Sequence, residues 1–308
     1  MRAGLEDVGA LAAIVSKRRE ELVLAPWMLV GDKIAETIAL WIAHPRREIR
    51  LGYHAGDLAG FIALERSGHG LDRHQPLSKI RYLFSVSGAH PRAAQSLLRS
   101  VIDAEHQANQ DLIVSFFGGS APHKSYDLAR QLGLELAGTQ CLRLLVGPPR
   151  QRGESSLVRR ATESDADQIA ELCKAFFRES NRSARLIETT IDFQGKALSA
   201  IDDARQVVFV ARHHGQAVGF ISGAVKRIRG TWLRVLKNSY WYVAPAARGT
   251  YAAPALLGAF EAYGLGNDAD AVAIGTSAGI HTNRTRAFLQ RLGYRHVGDT
   301  YLASRSSR

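Results

Sequence analysis

The sequence predicts an α/β fold of the α+β kind, a mixed and mostly antiparallel sheet flanked by helices, that occurs twice along the chain. The main observation is an internal repeat: Gly56-Asp57-Leu58-Ala59-Gly60-Phe61-Ile62 recurs as Gly215-Gln216-Ala217-Val218-Gly219-Phe220-Ile221, at an offset of 215 − 56 = 159. The apolar segments that begin at Asp111 and Asp270 match at the same offset, and Leu132-Gly133 matches Leu292-Gly293 at 160. Several landmarks in one order at one spacing indicate a duplicated fold.

The first copy begins with a charged, helix-like N-terminal pattern. It continues with apolar residues that alternate with the period of strands or of helices. Strands are predicted at 49–53, 58–65, 81–86 and 112–117, and helices at 93–106 and 125–132.

The second copy follows the same order. A strand at 157–161 precedes a helix that Thr162-Glu163-Ser164-Asp165 opens as a capping sequence. His213-His214-Gly215-Gln216 joins two strands into a hairpin. The remaining elements are strands at 206–212, 217–225, 239–243, 271–276 and 296–302 and helices at 253–263 and 284–292. Hairpins followed by a β-α-β-α-β order predict a mixed sheet with helices on its faces.

A change of composition separates the two copies. Apolar periodicity stops at Val146-Gly147-Pro148-Pro149, and Pro, Gly and charged residues continue to Ser156. We therefore expect one domain at 1–147, a linker at 148–156 and a second domain at 157–308. A chain of 308 residues, 46% of them hydrophobic, is long enough for two cores of about 150 residues each.

The net charge of +11 and the sequence pI near 9.9 favour polyanionic partners. The basic residues occur in short scattered groups such as Lys17-Arg18-Arg19, which indicates mostly solvated surface. Cys141 and Cys173 fall in different copies and in apolar surroundings, which predicts two buried thiols and neither a disulfide nor a metal site. The sequence has no signal-peptide pattern and no apolar run of about 20 residues, so we expect a cytoplasmic location.

The segment 243–253, Val-Ala-Pro-Ala-Ala-Arg-Gly-Thr-Tyr-Ala-Ala, lies between a predicted strand and a predicted helix. Backbone N–H groups and a helix N-terminus at such a turn can bind a phosphate. Arg248 adds a positive charge and a fork of donors. The alternative interpretation is an ordinary strand-to-helix turn with a surface arginine.

The order of strand, Val-x-Pro-x-x-Arg-Gly loop, helix, strand, helix, Leu-Gly-Tyr and strand resembles the GNAT superfamily of N-acetyltransferases. The resemblance covers residues 157–302 and, more weakly, residues 1–146, and it implies two tandem GNAT-like domains. In that family the loop after the fourth strand binds the pyrophosphate of acetyl-CoA. By position, the implied cofactor-binding residues are Val243, Arg248, Gly249, Thr250, Tyr251, Ala252 and Ala253.

Three features depart from the family pattern. Tyr251 stands where a glycine is expected, so its side chain is expected to crowd the phosphates or to change the path of the loop. Leu289 stands where the family often has a tyrosine that protonates the departing thiolate. In the first copy, residues 86–94 lack the Arg-Gly pair, and Pro91 removes a backbone donor. We therefore expect a degenerate, mainly structural or substrate-shaping first domain.

Catalysis in such a fold requires a proton acceptor, because a free primary amine has a pKa near about 10. His281 precedes the last helix, and histidine is the side chain whose unperturbed pKa suits a base at neutral pH. Tyr242 lies near the end of the fourth strand, where a backbone N–H of Tyr242 or Val243 can polarise the thioester carbonyl. Glu188 and Asp192 lie in the segment that usually shapes the acceptor site and are candidates to bind a cationic amine. A solvated loop histidine and a charged helix face are the alternatives.

We therefore expect an acyl-CoA-dependent N-acyltransferase, with acetyl-CoA as the co-substrate and no metal. Its partner would be a small-molecule or peptide amine that attacks the thioester directly, and no membrane association is expected. Two alternatives remain open. One is a non-catalytic CoA-binding or partner-binding tandem module, which the missing helix tyrosine favours. The other is an aminoacyl-tRNA-dependent transferase, which the basic charge suits.

Overall fold

The computed structural model describes residues 1–18, 31–67, 77–85, 91–108, 110–117, 122–145, 157–180, 191–227, 233–276 and 278–303. These residues form two compact units. The first contains the described parts of 1–139 and 296–303, and the second contains those of 140–227 and 233–295. Glu188 and the predicted linker at 148–156 lie outside the described residues, so the domain division stays a prediction.

The predicted helices and strands occur in the predicted order, and the structure adds helices at 31–43 and 193–202 and a strand at 135–144. The helices are α1 (Val8–Arg18), α2 (Gly31–Ala43), α3 (Pro91–Gln107), α4 (Pro122–Gln131), α5 (Ala166–Glu179), α6 (Phe193–Asp202), α7 (Ala252–Gly266) and α8 (Thr282–Arg291). The strands are β1 (Arg47–His54), β2 (Asp57–Ser67), β3 (Leu77–Ser85), β4 (Asp111–Phe117), β5 (Glu135–Leu144), β6 (Val158–Arg160), β7 (Val207–His213), β8 (Gln216–Arg227), β9 (Arg234–Val243), β10 (Ala271–Gly275) and β11 (Arg295–Ala303).

Both units contain a mixed sheet. In the first unit the strand order is β1-β2-β3-β4-β11, with one parallel pair, β3 and β4, among antiparallel neighbours. In the second unit the order is β5-β10-β9-β8-β7-β6, and β9 and β10 form the parallel pair. The hairpin and crossover pattern predicted from the sequence is therefore confirmed.

Each unit completes its sheet with the last strand of the other copy. The end of β5 pairs with β10 in the second unit, where Gln140 lies opposite Gly275 and Leu144 opposite Ala271. Conversely, β11 pairs with β4 in the first unit. The edge of a sheet presents unpaired N–H and C=O groups, which another strand can pair with. The last strand of either copy can therefore fill the edge position in either sheet. As a result, Cys141 lies in a core of the same unit that contains Cys173, although the two fall in different copies by sequence and pack in different clusters.

The repeat extends to irregularities of the backbone. The β1–β2 hairpin shifts register after Gly52, and the β7–β8 hairpin shifts after Ala211, at an offset of 211 − 52 = 159. The turns of these hairpins share positive φ values: 52° at Ala55, 89° at Gly56, 46° at His214 and 78° at Gly215. Equivalent bulges and turns at equivalent positions confirm the duplicated fold.

Two strands begin earlier than predicted, β3 at Leu77 and β9 at Arg234. In each strand one extra residue interrupts the pairing with the preceding strand, Arg81 in β3 and Ser239 in β9. A β-bulge changes which face the following residues occupy, so the alternation of the whole strand is broken at that point. The sequence pattern therefore predicted only the half of each strand that starts at the bulge.

Strand alternation in the second unit divides the residues of β9 between two layers. Trp241 and Val243 face the core under α7 and α8, which includes Leu256, Phe260 and Leu289. Tyr240 and Tyr242 face the opposite core, under α5 and α6. The two faces at the end of β9 therefore meet different helices, and this arrangement positions the candidate site.

Candidate active site

The parallel strands β9 and β10 pair only along their first residues. Residues 235–237 lie opposite 271–273, and the side chain of Asn238 then replaces the backbone pairing. Its Nδ2 donates to the Gly275 carbonyl at 3.0 Å, and the Gly275 N–H donates to its Oδ1 at 2.7 Å. Because a side chain lies between the two backbones, the strands separate and leave a cleft at their carboxyl ends.

A β-bulge on β9 accompanies this separation. Gly223 pairs with Asn238 and Ser222 pairs with Tyr240, so Ser239 has no opposite residue. A Cβ on Gly223 would lie 2.6 Å from Cζ of Phe260 and would also meet the Lys237 carbonyl. Only glycine permits this close approach, and the bulge bends β9 where it leaves β10.

The backbone of β9 directs specific N–H groups into the cleft. The Ala244 N–H donates to the Val218 carbonyl at 2.9 Å, which fixes the phase of hydrogen bonding with β8. Successive residues of a strand direct their N–H groups to opposite sides, so the Tyr242 N–H also faces β8. The N–H groups of Trp241 and Val243 face the side that β10 has left. Of the two N–H groups considered in the sequence analysis, that of Val243 therefore points to the cleft.

A tight loop connects β9 to α7. Pro245–Ala247 form one 3₁₀ turn, and Gly249 has φ 79°, a conformation that favours glycine. The Thr250 hydroxyl closes the loop, since Oγ1 donates to the Ala247 carbonyl at 2.6 Å and accepts from the Ala252 N–H at 3.3 Å. The helix α7 then begins at Ala252.

The loop can bind an anion through a few backbone donors. The first N–H groups of a helix have no acceptor within the helix. In α7, that of Ala252 is used by Thr250, and Pro254 has none. The donors that suit a phosphate are therefore the N–H groups of Gly249, Thr250, Tyr251 and Ala253.

Tyr251 directs its side chain away from these donors. Its hydroxyl donates to the Arg212 carbonyl at 2.6 Å, at the end of β7, and its ring packs against the core under α7. The side chain of Tyr251 is therefore held at the end of β7 and does not enter the space in front of the loop N–H groups.

Arg248 is held by a carboxylate that the sequence analysis did not identify. Its Nη1 and Nη2 donate to the two carboxylate oxygens of Glu179, at 2.6 and 2.5 Å, and its Nε donates to the Val243 carbonyl at 3.0 Å. The guanidinium also lies over the ring of Tyr242, 5.5 Å from its centre. The hydrogen bonds from Arg248 lower the pKa of Glu179 and outweigh the opposing effect of burial.

Tyr242 shares the same carboxylate. Its hydroxyl donates to Oε2 of Glu179 at 3.1 Å, and the residue is 5% exposed. Burial and the neighbouring Glu179 charge raise the pKa of Tyr242 to about 12. The hydroxyl therefore stays protonated at neutral pH and is a donor.

His281 lies at the N-terminus of α8, close to Glu179. The histidine is exposed and adopts a left-handed conformation, φ 45° and ψ 37°, which is uncommon outside glycine. A positive charge on His281 lowers the pKa of Glu179, but by less than the contacts with Arg248 and Tyr242 do. The Ser180 hydroxyl donates to the Ala278 carbonyl at 3.2 Å and joins the end of α5 to the loop before α8. The structure thus places Tyr242 and Arg248 in contact with Glu179, with His281 at the start of α8.

Asp192 caps a helix. It is the N-cap of α6, and its Oδ1 accepts from the Gly195 N–H at 2.8 Å. This contact uses one carboxylate oxygen of an exposed side chain.

Three other tyrosines of the second unit, Tyr240, Tyr251 and Tyr294, lie outside the cluster around Glu179 or in the core. The Tyr294 hydroxyl donates to Glu261 at 2.8 Å, and Tyr251 is bound to Arg212. Burial raises the pKa of Tyr240 to about 12. Leu289, in the position of the family tyrosine, is fully buried in the core. Tyr242 is also buried and hydrogen-bonded, and it differs from these tyrosines in that its partner is Glu179.

Comparison with known proteins identifies the fold. No family profile matches the sequence, and no curated protein matches it. A tandem GNAT protein from the clavulanic acid biosynthesis pathway, solved without acetyl-CoA, aligns over 98% of this chain and 97% of its own, with a TM-score of 0.53 and 16% identity. A GCN5-related N-acetyltransferase from Sphaerobacter thermophilus aligns over 98% and 94%, with a TM-score of 0.61 and 14% identity. The chain has the tandem GNAT fold.

The candidate site combines residues that the sequence predicts with one that it does not. Tyr242, Arg248 and His281 are residues that the sequence predicts, and the structure places the first two in contact with Glu179. Glu179 was missed because it is the last residue of a helix with many charged residues and is 69 positions from Arg248. Glu188 and most of the first-copy loop, 86–90, lie outside the described residues, and Pro91 begins α3.

Within the described ranges, no group of three or more His, Cys, Asp or Glu side chains is arranged to hold a metal ion. Cys141 is buried and Cys173 is half-buried, and burial raises the pKa of the Cys173 thiol to about 12. None of the helices described is long and apolar enough to cross a membrane.

Proposed function

We propose that the second unit is an acyl-CoA-dependent N-acyltransferase, most simply an acetyltransferase, in which an amine attacks the thioester directly. The observation that supports this function most is the cleft where β9 and β10 separate beyond Lys237 and Ala273. The cleft is lined by the outward-facing N–H of Val243 and lies next to the loop at 248–253, which we propose to bind the anion. An acyl-CoA fits this arrangement, because its thioester would lie at the Val243 N–H and its phosphates at the loop.

The residues present suit the CoA group. Its pyrophosphate would be held by the N–H groups of Gly249, Thr250, Tyr251 and Ala253, at the N-terminus of α7. Acetyl-CoA supplies the acyl group as a thioester, whose thiolate departs when the amine attacks. The Val243 N–H is directed toward the cleft and would donate to the thioester carbonyl oxygen.

Proton transfer is assigned to His281 and Tyr242. The exposed imidazole of His281 is the proposed acceptor of the amine proton, directly or through water. The Tyr242 hydroxyl stays protonated at neutral pH and is the proposed donor to the departing thiolate. Glu188 and Asp192 are proposed to bind the cationic acceptor, and Asp192 would use the carboxylate oxygen that does not cap α6.

Turnover of acetyl-CoA with a panel of amines tests the proposal. Release of the CoA thiol by the full chain would be followed with aliphatic amines, amino sugars and peptides as acceptors. Thiol release that requires an amine supports the transferase.

A non-catalytic CoA-binding module is the second candidate, favoured by the buried Leu289 in the position of the family tyrosine. Saturable CoA binding without turnover on any amine would support it. Salt-dependent retention of aminoacyl-tRNA without CoA binding would instead support the tRNA-dependent transferase.

A further inference from the structure

Arg248 is the basic side chain of the proposed pyrophosphate loop, yet all three of its nitrogens already donate hydrogen bonds, through three of its five N–H groups. Two guanidinium nitrogens form a fork with Glu179, and the third binds the Val243 carbonyl. A guanidinium binds carboxylate and phosphate through the same planar edge and in the same bidentate geometry. The edge that holds Glu179 therefore cannot hold a phosphate at the same time.

We propose that Glu179 and the pyrophosphate of CoA compete for Arg248, so that cofactor binding opens the fork and releases the Glu179 carboxylate. This inference rests on the proposed function, because it needs CoA at the loop 248–253. The ion pair is suited to exchange, since the side chains of Arg248 and Glu179 are each 28% exposed. A half-exposed pair can be replaced by another anion without leaving a buried charge unpaired.

The release has a consequence for the acceptor. Glu179 would remain next to the Tyr242 hydroxyl and close to His281, on the face of the sheet covered by α5 and α6. A carboxylate that has lost its cation attracts another one, and the amine substrate is a cation at neutral pH. Glu179 thus becomes a positioning residue for the amine only after the cofactor is bound.

Calorimetric affinities of the full chain for CoA and for pantetheine, which lacks the pyrophosphate, test the competition. Glu179→Gln removes the competing charge, so it should bind CoA about tenfold more tightly or better, and pantetheine with unchanged affinity. Glu179→Asp keeps the charge but shortens the side chain, so it should give a smaller gain. Melting temperatures of both variants show whether each is folded.

Two further variants separate local competition from a general change of charge. Glu171 lies on the same helix α5 and is exposed, paired with Lys174 at 2.6 Å. Glu171→Gln makes the same change of charge and should leave CoA affinity within about twofold, because exposed charges are well screened. In an Arg248→Ala background, Glu179→Gln should no longer alter CoA affinity.

The results distinguish this inference from the proposed function. Tighter CoA binding by Glu179→Gln that disappears in the Arg248→Ala background supports the competition. Equal or weaker CoA binding by Glu179→Gln, while the wild type binds CoA, overturns the competition and leaves the transferase proposal intact. Equal gains for CoA and pantetheine would also overturn it. If neither the wild type nor Glu179→Gln binds CoA, both proposals fail.

Discussion

Replacing Arg143 with alanine should destabilise the second unit by about 2–4 kcal/mol. Arg143 lies on β5, the strand that the first copy contributes to the second unit. Its Nη1 donates to both carboxylate oxygens of Glu261 on α7, at 3.0 and 2.8 Å. The substitution therefore removes the cation from a carboxylate whose side chain is 7% exposed.

The magnitude follows from the surroundings of Glu261. Removing one partner of a buried ion pair usually costs about 3–5 kcal/mol, because the other charge stays buried without compensation. Two features reduce that cost here. The Tyr294 hydroxyl still donates to Glu261 at 2.8 Å, and the site of Arg143 is 17% exposed, so water can reach it.

Urea unfolding followed by circular dichroism, with Arg205→Ala as the control, measures this effect. Arg205 pairs with Asp203 on the surface, where its side chain is 89% exposed, so its removal should leave the unfolding midpoint unchanged. Replacing both Arg143 and Glu261 by leucine should restore much of the lost stability, since no charge is left unpaired. A loss below about 1 kcal/mol for Arg143→Ala would refute the argument that this pair fastens β5 to the second unit.

Three further predictions concern the candidate site and its unit. His281→Ala should lower turnover of the best amine about a hundredfold or more with CoA affinity nearly unchanged; an unchanged rate and pH profile would return His281 to a loop role. Gly223→Ala should destabilise the unit by about 1–3 kcal/mol in urea titrations because its Cβ would meet Phe260, and full stability would show that the bulge tolerates a side chain. Burial acts to raise the pKa of Asp165, but hydrogen bonds from Arg159 and Thr162 outweigh it and lower the pKa. The stability from Asp165 is therefore present above the unfolded pKa near 3.8 and lost as pH falls through the lower folded pKa. Asp165→Asn should flatten that acid limb in urea titrations, whereas an equally steep limb would count against this assignment.

The sequence predicts the elements of this fold better than their connections. Local alternation was enough to place the hairpins and the last two helices, because these elements have one buried face. It failed at Arg81 and Ser239, where a bulge moves the following side chains to the other face. It also failed to assign β5. Local pattern does not show which sheet a strand joins, because β5 and β11, which end at Leu144 and Ala303, have similar patterns but different partners.

The candidate site was predictable where the backbone carries it and unpredictable where side chains meet at long range. Gly249 and Thr250 could be identified because a strand-to-helix turn requires their conformations locally. The partner of Arg248 could not, because Glu179 is distant in sequence and the packing of α5 on the sheet brings the two together. The direction of Tyr251 likewise depends on the end of β7, which supplies the Arg212 carbonyl.

The exchange of last strands has a consequence for synthesis on the ribosome. Domains of a multidomain chain generally fold in turn, the N-terminal one first, as each emerges. Here the sheet of the first unit lacks its edge strand until β11, at residues 295–303, has been made. During that interval β4 presents an unpaired edge, and β5 has no β10 with which to pair. Neither copy can finish its sheet before nearly the whole chain exists, so translation stalled after residue 147 would yield an unfinished unit with an exposed strand edge.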